Sequence, residues 1–489
     1  MKYTNPVLKG FYPDPSVCRA NGKFYMVNSS FQYFPGVPLF ESDNLVNWTQ
    51  IGYVLTRKNQ VMLEGINSSG GVFAPTIRYN NGRFYMVTTN DTTHQNFFVY
   101  TDDIYGEWSD PVYVDQGGID PSLFFEDGKT YFMSNGTDEN GKGAVIQCEI
   151  DPVTGEKLSP GRAIWNGSGG RFLESPHLYK IKGKYYLMAA EGGTEYGHMI
   201  TYAVADSPYG KFENYPHNPV LTNRNKAPFI IQGIGHGDLV EDYNGNWHIL
   251  SLGFRQQGMW MPYHNLGREV FLTPVTFDEK GWFTAGNDGT TDESYEIEGD
   301  FSQTEKKEYT FDNTDFGIDW CYLRHPDPEN YSLGKKVTLT GTDLTLDHVA
   351  SPTFIALRQR DFCGEMTCTV ELYEGEGGLT AYMCENEHYD VAIRKTESGF
   401  EVISKLNIGG IKHIQQAEKI SGNKATLKMR FNNWRYELIA VDGERKISLG
   451  SGQAKYLSSE VSGGFTGVML GLYAVKGKSE FFDFVCRYE

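Results

Sequence analysis

Five times in its first 250 residues the chain sets a glycine behind a turn residue and ahead of an aromatic-rich strand. The segments are Gly22-Lys23-Phe24-Tyr25, Gly82-Arg83-Phe84-Tyr85, Gly128-Lys129-Thr130-Tyr131, Gly183-Lys184-Tyr185-Tyr186 and Gly245-Asn246-Trp247-His248. The residues before them, Asn21, Asn81, Asp127, Lys182 and Asn244, are mostly turn formers, and Asn-Gly or Asp-Gly between apolar runs signals a hairpin. The glycines lie 60, 46, 55 and 62 residues apart, the length of a four-stranded blade plus a variable loop. A second repeat runs in phase with the first. Trp48 and Trp108 each fall 26 residues after their glycine and Phe212 falls 29 after its own, while Trp165 and Trp282 end the longer third and fifth units. Five units, each with an early hairpin and a late aromatic strand, predict an all-β chain that opens with a five-bladed β-propeller over residues 1–290.

The character then changes. Gly286-Asn287-Asp288-Gly289-Thr290-Thr291-Asp292-Glu293 is polar and acidic, and a linker is expected over 291–305. Beyond it come alternating strands such as Lys336-Val337-Thr338-Leu339 and Thr367-Cys368-Thr369-Val370-Glu371-Leu372, with turn signals at short intervals and no helical periodicity of useful length. A C-terminal β-sandwich is predicted for 306–489.

The net charge of −18 would repel a phosphate backbone or an anionic membrane, so neither nucleic acid nor membrane is expected as a partner. Neutral saccharides are indifferent to that field, and the 31 tyrosines and 30 phenylalanines beyond what the β-core uses suit the apolar faces of sugar rings. The seven cysteines are odd in number and form no CxxC pair, which fits reduced structural thiols. With no signal-like apolar stretch behind Met1, a cytoplasmic location is expected. A homo-oligomer is compatible with the sequence, which does not set its order.

Seven residues before each glycine stand Pro15, Pro75, Pro121, Pro176 and Asp238. Proline fixes φ and lacks an amide proton, so it suits the first residue of a strand. This position therefore marks the start of each innermost strand, where matching ends converge on the propeller axis. Just before it lie Asp14 in the first repeat, Ala74 in the second, Asp120 in the third, Glu174 and Ser175 in the fourth, and His236 and Gly237 in the fifth. Three carboxylates and a histidine thus share one ring, and like charges so gathered raise at least one pKa. Glycoside hydrolysis needs an acid for the leaving oxygen and a second carboxylate on the opposite face. A third carboxylate can tune the acid.

Tyr12-Pro13-Asp14-Pro15-Ser16, Gly118-Ile119-Asp120-Pro121-Ser122 and Glu174-Ser175-Pro176-His177 resemble the three signature segments of glycoside hydrolase family 43. So do Phe73-Ala74-Pro75-Thr76, Glu191-Gly192-Gly193-Thr194, Gly235-His236-Gly237-Asp238 and Leu266-Gly267-Arg268-Glu269, and the tail resembles the accessory domain of that family's β-xylosidases and α-L-arabinofuranosidases. The resemblance implies an inverting mechanism with Asp14 as general base, Glu174 as general acid and Asp120 tuning and orienting Glu174. It implies that Arg268 holds a substrate hydroxyl or stabilises a neighbouring carboxylate. His236 resembles the family's axial histidine, which suggests a structural calcium ion in the channel, contacted through water because hard cations prefer oxygen. No cofactor is expected for the chemistry.

Family resemblance also sets Phe31, Phe73, Ala74 and Thr194 against the sugar. Gly463-Gly464-Phe465-Thr466-Gly467 resembles the loop that closes the pocket in two-domain members, and Phe465 is equally readable as sandwich core. If Phe465 reaches across, the pocket is blind and the enzyme exo-acting. The expected substrates are short oligosaccharides derived from arabinoxylan or arabinan. The short tail and the segment after Gly235 resemble the α-L-arabinofuranosidase branch of the family, with β-xylosidase the nearest alternative. A retaining fructosidase-like hydrolase and a non-catalytic carbohydrate-binding propeller are the other readings.

Overall fold

The computed structural model describes residues 1–258, 260–311 and 317–489. Five four-stranded antiparallel sheets follow one another along the chain as blades. Their inner strands are Ser16–Ala20, Thr76–Asn80, Ser122–Glu126, Glu174–Ile181 and Ile231–Glu241. The glycine repeat supplies the hairpin from first to second strand in every blade. In four of them the pairs flanking the turn are Ala20 with Lys23, Asn80 with Arg83, Glu126 with Lys129 and Ile181 with Lys184. Both central residues of each turn have positive φ, from 48° to 50° at the first and 76° to 88° at the glycine. That is the hairpin turn whose twist matches the strands, and glycine reaches such φ without a Cβ clash. The fifth hairpin is longer, pairing Glu241 with Trp247.

Asp238, where the other repeats have proline, ties the blades together at the axis. Its carboxylate accepts from Ser16 Oγ (2.6 Å), Val17 N (3.0 Å), Tyr179 Oη (2.5 Å) and both terminal nitrogens of Arg78 (2.7 and 3.1 Å). One side chain of the fifth blade thus bonds to the first, second and fourth. Burial alone would raise this carboxyl, but Arg78 holds it well below the usual carboxylate range. Removing one partner of such a buried pair costs about 3–5 kcal/mol, because the other charge is left buried and uncompensated.

The tail folds into two sheets face to face, one of eight strands and one of seven, around a core that includes Val370, Leu379, Val391, Leu427, Leu438 and Leu472. Gly364–Leu372 alternates buried and half-buried residues along its whole length, the pattern of a strand with one face in the core. Two features depart from the expected partition. Within the stretch predicted as linker, Ser294–Glu296 pairs with the N-terminal strand Lys2–Thr4. Tyr33–Phe34, in the first blade's loop, pairs with Trp320–Leu323 and so extends a sandwich sheet. The two bodies therefore share a sheet. Arg324, wholly buried, fastens the same border by donating to Ile66 O, Ala350 O and Glu385 Oε1 at 2.6, 2.7 and 2.8 Å.

Candidate active site

The start of the inner strands is bent in a recurring way. Asp14, Asp120 and Ser175, all eight residues before their glycine, have φ of 54°, 53° and 56°, and His236 has 40°. Left-handed φ at a non-glycine residue costs of order 1–3 kcal/mol and persists only where surrounding contacts impose it. Here it turns side chains from the blade face toward the axis. In the fourth blade the ladder slips between Glu174 and His177, which brings Glu174, one position earlier than the aspartates, into the same ring. Ala74 lacks the bend and leaves that part of the wall low. Phe31 also stands at positive φ (49°), an outlier for a bulky side chain, and it too faces the cavity.

The result is one cavity of about 660 Å³ at the axial end. All ten residues expected at the site line it: Asp14, Asp120, Glu174, Arg268, Phe31, Phe73, Ala74, Thr194, His236 and Phe465. Phe465 is not core. It stacks on Phe31 with ring centroids 5.9 Å apart, its amide donates to Ser69 Oγ (2.8 Å), and its carbonyl accepts from Arg268 (3.2 Å). The sandwich thereby forms one wall of the cavity. Glu460, also from the sandwich, reaches the rim, where it accepts from Tyr196 Oη at 2.8 Å and faces His264 Nδ1 at 2.7 Å. A second cavity of about 540 Å³ lies where the N-terminal segment meets residues 303–306, but its carboxylates Glu305 and Asp319 are paired with Lys9 and Lys306.

The three acids differ in what surrounds them. Asp14 is buried, and burial alone would raise it. The Arg268 guanidinium at 3.1 Å, His236 and the Ser29 hydroxyl, which donates to it, together pull it below the ordinary aspartate value. Glu174 is pushed up to about 7, first by burial and then by the Asp14 charge, with Arg268 opposing. Asp120 is also raised, by burial, then by Glu174 and Asp14, although the Ser175 amide donates to it. Burial and mutual repulsion thus shift Glu174 and Asp120 toward their protonated forms, while Arg268 favours the ionised form of Asp14.

Arg268 organises the floor. Beyond Asp14 it donates to Thr194 Oγ1 at 2.9 Å, which gives Thr194 its place. His236 Nδ1 lies 3.4 Å from Asp14 and 3.9 Å from Asp120, and burial lowers its pKa. The residues around it do not fit the expected calcium ion. A hard dication needs six to eight oxygens, whereas the axis on the far side of His236 holds His177 (centroids 6.4 Å apart) and, at 3.0 Å from His177 Nδ1, the Arg78 guanidinium locked on Asp238. The Arg78–Asp238 ion pair already fills that part of the channel. Among the described residues no group of three His, Cys, Asp or Glu side chains is arranged to hold a metal.

Sequence reasoning missed Ser29, His198 and Glu191. Buried Glu191 accepts from Ser168 N (2.6 Å), Gly170 N and Thr201 Oγ1 (2.9 Å), and so pins the loop that delivers Glu174. Its place in Glu191-Gly192-Gly193-Thr194 was a signal, but its bonding partners lie on other segments. Lone His198 carries no repeat coordinate.

Residues 3–283 match Glycosyl hydrolases family 43, and residues 308–484 match the Beta xylosidase C-terminal Concanavalin A-like domain. The chain is 35% identical to a non-reducing end alpha-L-arabinofuranosidase of Bacteroides ovatus, over 99% of this chain and 95% of that one. It is 34% identical to a xylosidase/arabinosidase of Butyrivibrio fibrisolvens, over 99% and 98%. Among solved structures, the GH43B protein of a Bacteroides ovatus xyloglucan locus superposes with a TM-score of 0.93 at 34% identity, covering all of both chains.

Proposed function

The chain belongs to glycoside hydrolase family 43, and from that premise we propose that it releases terminal α-L-arabinofuranosyl units from the non-reducing ends of short plant oligosaccharides. The observation that carries this reading is the pairing, in one cavity, of Asp14, held below its ordinary value by Arg268 at 3.1 Å, with Glu174, raised to about 7 by burial and the Asp14 charge. These shifts favour the two protonation states that inversion requires on opposite sides of a sugar. Asp14 takes a proton from water as the water oxygen bonds to the anomeric carbon. The bond to the leaving oxygen breaks as Glu174 protonates it. Exchange with solvent then resets both carboxyls. Arg268 keeps Asp14 charged and presents donors to a sugar hydroxyl, and the chemistry uses water with no cofactor.

Exo action follows from the wall that the sandwich adds. Phe465, held by Ser69 and Arg268, narrows the cavity beside Phe31 to a terminal sugar. The acids already have a cation in Arg268, which disfavours a non-catalytic cation-binding role. β-Xylosidase is the second reading, because the Butyrivibrio relative carries both activities in its name. We also propose a cytoplasmic setting, supported by seven cysteines that are all unpaired.

Purified protein given nitrophenyl α-L-arabinofuranoside and nitrophenyl β-D-xyloside side by side is expected to show the higher kcat/KM on the arabinofuranoside. A faster xyloside would make β-xylosidase the main activity. Inertness toward both would sink the reading.

A further inference from the structure

His198 is a buried side chain of the cavity with no part in the acid–base chemistry. It is 3% exposed, and its place is tightly built. Its backbone N–H donates to Glu195 O (3.0 Å), and its carbonyl accepts from Thr222 Oγ1 (2.7 Å). Its ring lies so close to Gly235 that a Cβ there would come within 2.2 Å of Nδ1, so the fifth blade needs glycine at that point to admit the imidazole. Nδ1 faces the Gly233 carbonyl at 3.3 Å. A carbonyl only accepts, so the ring proton sits on Nδ1 and Nε2 carries a lone pair. Nε2 has no partner among the described residues.

The neighbours fix what that lone pair can do. Burial, then His236 and Arg268, hold the imidazole at about 3, so it stays neutral at working pH. Arg268 offers only donors, and Asp14 is engaged with Arg268 and Ser29. A neutral imidazole nitrogen accepts a hydrogen bond from a hydroxyl without adding charge beside the three acids.

We infer that His198 is a specificity-determining residue, its Nε2 accepting a hydrogen bond from one ring hydroxyl of the terminal pentose, as the fixed Nδ1–Gly233 contact and the built niche at Gly235 dictate. The inference rests on the proposed pentosidase reading.

The test measures kcat/KM for wild type, His198→Phe and His198→Gln on an aryl α-L-arabinofuranoside and on its 2-, 3- and 5-deoxy analogues. His198→Phe is expected to lose about 10- to 100-fold on the full sugar, the range for leaving one hydroxyl unpaired in a buried site. The loss should shrink to under about 3-fold on the one analogue that lacks the contacted hydroxyl. His198→Gln, which keeps an acceptor, should recover part of the activity. Equal losses on all four substrates would overturn the inference, since a merely structural role is blind to the missing hydroxyl. Wild-type protein supplies an independent arm should a variant fail to fold. The ¹⁵N resonance of His198 Nε2 should report an unprotonated nitrogen and move when an aryl thio-α-L-arabinofuranoside binds. A protonated or unmoved Nε2 would overturn it as well. Inactivity of wild type on the parent glycoside would instead strike the pentosidase reading, so the two failures are distinct.

Discussion

Glu174→Ala is expected to lose about 10³-fold or more in kcat on natural oligosaccharides, whose leaving alcohols need a proton, and less than about 10-fold on a dinitrophenyl glycoside, whose phenolate leaves unaided. The prediction follows from the position of Glu174 beside Asp14 and from the raised pKa of about 7 that burial and the Asp14 charge give it. The sign of the pH effect follows too. Activity needs Glu174 protonated and Asp14 ionised. The rate should therefore fall as pH rises through about 7, and fall again on the acid side only below the ordinary aspartate value, because Arg268 holds Asp14 down. In Glu174→Ala the alkaline limb should flatten on the dinitrophenyl substrate. Steady-state rates across pH on the two substrate classes check both points. Equal losses on both classes would remove Glu174 from the acid role.

Asp14→Ala is expected to lose about 10³- to 10⁴-fold on every substrate, activated or not, because water then has no base whatever the leaving group. The loss should exceed simple base removal, since Arg268 would be left buried without its 3.1 Å partner. The vacated volume offers a test of mechanism. Azide should enter it and restore turnover of a dinitrophenyl glycoside, giving a glycosyl azide of inverted configuration. Asp14→Asn keeps the volume filled and should show no such rescue. Product analysis with and without azide separates the two variants. Uniform loss in Asp14→Ala with a retained-configuration azide product would contradict the base assignment.

The repeats made most of the fold legible. Asn21-Gly22, Asn81-Gly82 and Asp127-Gly128 carry their φ preferences within two residues, so the hairpins were readable locally. Asp14 and Asp120 were readable because they share a repeat coordinate, and the structure adds that both are bent into left-handed φ there. Glu174 needed a bulge to join them. What escaped depends on contacts between distant segments. The Arg78–Asp238 lock joins residues 160 apart in sequence, and it fills with an ion pair a part of the channel where a calcium ion was expected. Tyr33–Phe34 is too short to announce a strand, and it becomes one only because Trp320–Leu323 lies beside it. Phe465 was ambiguous because a phenylalanine after two glycines fits core and pocket equally. Its bond to Ser69, 396 residues away, decides the matter. His198 and Glu191 gave no periodic signal, since one serves a wall and the other a loop.

The account turns on water attacking from the Asp14 side while Glu174 protonates the departing oxygen from the other. Proton nuclear magnetic resonance of the first sugar formed, recorded before mutarotation from an α-L-arabinofuranoside, tests this most directly. The β-anomer is expected at the earliest times. The α-anomer appearing first would mean a covalent intermediate, and Asp14 could then not be the base, nor Glu174 the acid, of a single direct displacement.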